Sequence, residues 1–167
     1  MRLYQSLAAA LLATAALPAD ALATDYVTGY VGWFDFIDDE DDATEFGVEY
    51  RFSPVEYGLR PMIGINTNTD GSVYGYGGLS WDVALIDNQL YLIPNFAAGG
   101  YSQGSGKDLG HGLEFRSGIE VNYQFPNTHR VGVAVNHISN ASLGDKNPGA
   151  ETLLINYSVP AGTLFGR

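Results

Sequence analysis

Alternation with a period of two runs through most of this chain, and it limits the possible folds more than any other feature. Phe46, Val48, Tyr50 and Phe52 alternate with Glu45, Gly47, Glu49 and Arg51. Leu113, Phe115, Ile119, Val121, Tyr123 and Phe125 share one parity, while Glu114, Arg116, Glu120, Asn122 and Gln124 share the other. Val131, Val133 and Val135 alternate with Gly132, Ala134 and Asn136, and Leu153, Ile155, Tyr157 and Val159 with Thr152, Leu154 and Asn156. Successive side chains of a strand point to opposite faces, so these segments read as strands with one apolar and one polar face. No helical period of useful length competes with them. The 21 glycines weigh the same way, because glycine costs about 1 kcal/mol against alanine inside a helix.

Which face points inward depends on the solvent. A soluble barrel or sandwich would keep its apolar parity inside and its ions in water. An outer-membrane barrel inverts this, with apolar residues toward lipid and polar ones toward the lumen. Glu49, Arg51, Glu114, Arg116 and Glu120 would be costly in a dry core but can pair with one another in a polar lumen. The favoured fold is therefore an all-β, eight-stranded antiparallel transmembrane β-barrel of the outer membrane. Turn residues place its strands near 25–36, 44–53, 58–67, 72–85, 90–101, 111–125, 130–140 and 150–159. The parity of the first and fifth strands is ambiguous, and Pro94 is awkward inside the fifth. Four connectors read as long and polar or glycine-rich: Ile37 to Thr44, Asn66 to Ser72, Ser102 to Gly110 and Ala141 to Gly149. Those at Pro54–Tyr57, Ile86–Gln89 and Pro126–His129 are short. Short turns at one end and long loops at the other are the outer-membrane arrangement, with the long loops extracellular.

The start of the chain agrees with export. Met1-Arg2 precedes an apolar stretch from Leu3 to Leu17, then Pro18 and the small-residue pattern Ala21-Leu22-Ala23. This reads as a signal peptide over residues 1–23, with Ala19-Asp20-Ala21 as the alternative cleavage site, followed by a single barrel domain over 24–167. With no cysteine, disulfides, zinc thiolates and thiol nucleophiles are excluded. A net charge of −11 argues against a nucleic-acid partner, which needs cations to neutralise phosphates.

Three segments could carry chemistry. Gly100-Tyr101-Ser102-Gln103-Gly104 matches the nucleophile-elbow pattern, but no helix follows it, and it reads as a chance match in a glycine-rich chain. The acidic run Asp38-Asp39-Glu40-Asp41-Asp42 could gather a divalent cation, but it lacks a calcium-loop spacing and reads as a solvated loop. The third segment, Asn136 to Glu151, is the informative one. His137 and Ser139 continue the lipid-facing parity of Val131, Val133 and Val135, and Glu151 shares that of Leu153 and Ile155. A hairpin centred near Gly144 sets Glu151 opposite His137. Polar groups converging on a lipid face are costly unless they are paired or functional. Ser, His and Glu are also the parts of a nucleophile–base–orienter relay, although headgroup-level polar residues would look the same.

At this point the chain resembles the lipid A 3-O-deacylase (PagL) family of acyloxyacyl hydrolases. The resemblance lies in His137-x-Ser139-Asn140-Ala141, Asn147-Pro148-Gly149 and Glu151, with Gly112-Leu113-Glu114-Phe115-Arg116 upstream, and covers roughly the last third of the chain. It implies an outer-membrane serine esterase that removes the acyl chain ester-linked at position 3 of lipid A. Ser139 would be the nucleophile, His137 the base and Glu151 the acid of the catalytic triad. It further implies Asn147 as the oxyanion-hole side chain, a backbone N–H near Ser142 as its partner where the family tends to have glycine, and Asn140 as a supporting residue. No metal or cofactor is implied. The implied partner is lipopolysaccharide in the outer leaflet of the outer membrane, and a homodimer stays open. Lys107 and Lys146, in the long loops, are candidates to meet lipid A phosphates, with ordinary loop solvation as the alternative. The rival to an enzyme is a non-catalytic structural or adhesive barrel. The C-terminus departs from the aromatic ending common in outer-membrane barrels; either Phe165 takes that place or the tail runs past the final strand.

Overall fold

The computed structural model describes residues 24–38 and 43–166. The expected signal peptide and Asp39 to Asp42 lie outside them. Strands β1 (Tyr26–Phe34), β2 (Ala43–Arg51), β3 (Leu59–Asn68), β4 (Val73–Trp81), β5 (Val83–Ile86), β6 (Leu90–Ser102), β7 (Leu113–Gln124), β8 (Arg130–Ser139) and β9 (Ala150–Pro160) form one antiparallel sheet. It closes on itself, because β1 pairs with both β2 and β9 while β4 pairs with both β3 and β6. The segments β4 and β5 run one after the other along β6, so the barrel has eight staves. No helix among the described residues is long and apolar enough to cross a membrane. A one-turn helix, α1 (Ala161–Phe165), follows β9, and Phe165 is exposed on it rather than built into a stave.

The outward parity is apolar. Val31, Trp33, Phe46, Val48, Ile63, Ile65, Phe96, Ile119, Val133, Val135, Leu153 and Ile155 are all exposed on the outer wall. The inward parity is charged. Arg51 bonds Glu49 and Glu120, Arg116 bonds Glu49 at 3.0 Å, and the hydroxyls of Tyr30 and Tyr76 donate to Glu49 at 3.3 and 2.8 Å. A second group lies toward the short-turn end, where Asp82 accepts from Arg60 at 2.9 Å and Arg130 at 2.7 Å. Arg130 also stacks over the rings of Tyr26 and Tyr91, at 4.5 and 4.2 Å. Glu114 differs from the expectation of mutual pairing: it is buried, and neither carboxylate oxygen has a partner among the described residues.

Four further differences have local causes. The stave expected as one strand over 72–85 is interrupted at Asp82, whose side chain binds the two arginines inside. That interruption accommodates Pro94. The proline lies on β6 between the last β4 pair, Ser80 with Asn95, and the first β5 pair, Val83 with Leu92, so its missing N–H falls where the neighbouring stave is already broken. The ambiguous parity of the first and fifth strands is also settled: Tyr26, Thr28 and Tyr30 point inward on β1, and Tyr91, Ile93, Asn95 and Ala97 do so on β6. The connector expected over Asn66 to Ser72 is only a four-residue turn, because Asn66 and Asn68 belong to β3 and face the lumen. Asparagine is a turn residue in water-soluble sheets, but a polar lumen makes it a stave residue.

Candidate active site

The site is built where β8 ends and β9 begins, at the long-loop end of the barrel. Antiparallel pairing places His137 directly opposite Glu151. Both point outward, and His137 Nδ1 lies 2.8 Å from Glu151 Oε1. The pair is neither buried nor fully solvated, with side-chain exposures of 48% and 26%. A carboxylate at Nδ1 favours the tautomer protonated there, which leaves Nε2 as a free acceptor. Gly149, at φ 67°, closes behind the ring: a Cβ on it would lie 2.9 Å from His137 Cε1. Glycine is thus required twice over at that position, for its backbone and for the imidazole.

Ser139 is the last residue of β8, opposite Phe115, on the same face as His137 and half-buried. Among the described residues no hydrogen bond holds its hydroxyl. The chain then turns sharply. Ala141 and Ser142 both adopt left-handed backbone, at φ 52° and 63°. Asn147 Oδ1 accepts the backbone N–H of Asn140 at 2.9 Å. That bond orients the amide and leaves the Nδ2 donor of Asn147 directed elsewhere. Asn140 itself is wholly buried, and its Nδ2 donates to the carbonyls of Leu109 and Lys146, each at 2.8 Å. It ties the β6–β7 connector to the β8–β9 connector.

His137, Ser139, Asn140, Asn147 and Glu151 are therefore gathered at one corner of the barrel, with Ser142 on the exposed turn beside them. The lysines divide. Lys146 is exposed and bonds Asp108 at 2.8 Å, whereas Lys107 is turned inward and buried against Asp35 at 2.7 Å, so Lys107 is not available to a phosphate at the surface. The Asp35–Lys107 pair was not foreseen from the sequence. Its one signal is a lone lysine amid Gly, Ser and Asp in the β6–β7 connector, in a chain with only two lysines. The elbow-like Ser102 ends β6 with no helix after it.

This corner can orient an imidazole with a carboxylate, place a hydroxyl on the imidazole's face of the sheet and offer an amide donor nearby. Those are the parts of an acyl-transfer site on the outside of a barrel. Among solved structures the chain is similar to the crystal structure of the outer membrane enzyme PagL, at 20% identity and a TM-score of 0.60, with 81% of this chain and 99% of that one covered. It also resembles Neisserial surface protein A (NspA), at 12% identity and a TM-score of 0.50, with 81% and 95% covered. At these identities the likeness speaks for the barrel fold alone. No curated protein matches the sequence. The family model for lipid A 3-O-deacylase (PagL) matches residues 28–160, that is, from the third residue of β1 to the end of β9, and the chain belongs to that family.

Proposed function

We propose that the protein is an outer-membrane serine esterase that removes the 3-O-linked acyl chain of lipid A through Ser139, His137 and Glu151. The observation that carries this reading is the hydrogen-bonded His137–Glu151 pair on the lipid-facing wall, one alternation step from Ser139. A lone polar couple on an otherwise apolar outer wall points to function, because each polar group there costs free energy that pairing only partly offsets.

Lipid A reaches the site by lateral diffusion. Ser139 Oγ attacks the ester carbonyl carbon and gives its proton to His137 Nε2, while Glu151 steadies the resulting imidazolium. Negative charge gathers on the former carbonyl oxygen, where Asn147 Nδ2 and a backbone N–H near Ser142 donate to it. The tetrahedral intermediate collapses, the bond between the acyl carbon and the sugar's 3-oxygen breaks, and the imidazolium returns the proton to that leaving oxygen. Water repeats the sequence on the acyl-enzyme, with His137 as base, and releases the fatty acid and free Ser139. The Ser139–His137 hydrogen bond forms when substrate compresses the site; such bonds are often open in free enzymes.

Mass spectrometry of lipid A from cells with and without the expressed protein tests the reading. The expected result is loss of one ester-linked acyl chain with the wild type and none with Ser139→Ala. Identical lipid A from both would leave a non-catalytic barrel.

A further inference from the structure

The acid of the relay does not stand alone. Asp35 follows β1 directly and is fully buried, at φ 60°. One carboxylate oxygen from each of Asp35, Asp38 and Glu151 lies within 4.8 Å of the others. The Lys107 ammonium bonds both oxygens of Asp35 at 2.7 Å and lies 3.5 Å from Asp38. Further bonds hold the group in place. Phe36 N–H donates to the carbonyl of Glu151 at 3.2 Å, and Tyr101 hydroxyl donates to that of Lys107 at 2.8 Å. Two residues beyond Lys107, buried Leu109 packs in the cluster of Phe34, Ile138 and Ala150 and accepts the Asn140 amide.

Three carboxylates so close repel one another, and at this spacing the repulsion reaches whatever faces them. Four kinds of titratable group meet here: His137 from β8, Glu151 from β9, Asp35 and Asp38 from the β1–β2 connector, and Lys107 from the β6–β7 connector. Lys107 brings the only cation among the described residues that bonds Asp35 or Asp38.

We propose that Lys107 is a positioning residue of the relay, whose ammonium pairs with Asp35 and Asp38 beside Glu151 and so offsets part of their negative field at His137. The proposal rests on the esterase reading above and adds to it a residue from a different loop. With the ammonium removed, Asp35 and Asp38 add their full charge to the negative field around the imidazole. The imidazolium is then favoured, and the neutral base that catalysis needs forms only at higher pH. A residue that merely stiffened the loop would lower the rate at every pH and leave the profile where it was.

The test is the pH dependence of kcat/KM for acyl release from purified lipid A by the refolded full barrel, with folding followed by heat-modifiable gel migration. Lys107→Met is expected to move the acidic limb upward by about one pH unit, the lower end of what a neighbouring charge does. Asp35→Asn added to Lys107→Met is expected to bring the limb back, and Lys107→Arg to leave it in place. Asp35→Asn alone leaves the ammonium balanced by Asp38, one negative charge fewer than in the wild type, and is expected to move the limb downward; it decides the matter if the Lys107→Met barrel does not fold. An unmoved limb in the folded variants overturns the role of Lys107 while the deacylase stands. A wild-type barrel that releases no acyl chain removes both.

Discussion

The lumen and the long-loop rim both hold carboxylates against cationic or protonatable groups, but they hold them differently. In the lumen Glu49 is met by Arg51, Arg116, Tyr30 and Tyr76, and Arg51 reaches Glu120 as well. Charge there is shared among several partners and shut away from solvent. On the outer wall Glu151 meets His137 through one hydrogen bond, and the ring's other nitrogen is left without a partner among the described residues. A network shared in this way resists change and supports the fold. A couple with one open position is available to a substrate. Chemistry and stability should therefore separate cleanly between the two regions.

The largest expected effect is on catalysis without folding. Ser139→Ala should lower acyl release by about 10³-fold or more, the scale of losing a triad nucleophile, while the barrel migrates as folded and its urea midpoint is unchanged. A barrel that loses stability in step with activity would mean that Ser139 belongs to the scaffold.

Arg51→Met should do the reverse. It leaves Glu49 and Glu120 short of a buried cation, which costs about 3–5 kcal/mol in comparable sites. Urea unfolding in lipid should move by that amount, with kcat per folded molecule within a few-fold of wild type. If kcat falls instead, the lumen and the rim are coupled.

Asn147→Ala should rank next. Removal of one oxyanion donor costs about 10²–10³ in kcat. Here the mutation also releases the Asn140 N–H, so Asn147→Asp is the control: its carboxylate can still accept that bond but has no donor for an oxyanion. Equal loss of kcat in both, with KM little changed, marks a donor used in the transition state. Loss in the alanine variant alone would mark a role in holding the turn.

How much of this could be read from the sequence follows the same division. The alternation of β7 and β8 laid out the staves and their apolar outer face, because a side-chain period of two survives whatever the loops do. The pairing of His137 with Glu151 was legible for the same reason, since both lie seven residues from Gly144 on regular strands. What depends on the third dimension was not legible. Asn66 and Asn68 read as turn residues until a polar lumen was there to receive them. The break at Asp82 needed Arg60 and Arg130 from two other staves. The inward turn of Lys107 needed Asp35, 72 residues away, and no local pattern reports such a pairing.

The smallest expected effect lies at Ser142, and it distinguishes scaffold from chemistry within a single turn. Its φ of 63° is left-handed, a conformation that costs a residue with a Cβ about 1–2 kcal/mol and costs glycine little. Ser142→Gly should relieve that strain. Glycine also gains freedom in the unfolded chain, which takes back about 0.5–1 kcal/mol. The net gain should be about 0.5–1 kcal/mol, read as a rise in urea midpoint and slower proteolysis of the β8–β9 connector. Because the turn keeps its shape and the residue contributes only its backbone N–H to the proposed oxyanion site, kcat should stay within about twofold. A large fall in kcat would mean that the serine hydroxyl itself touches the reacting ester, and the site would then have a second hydroxyl to account for.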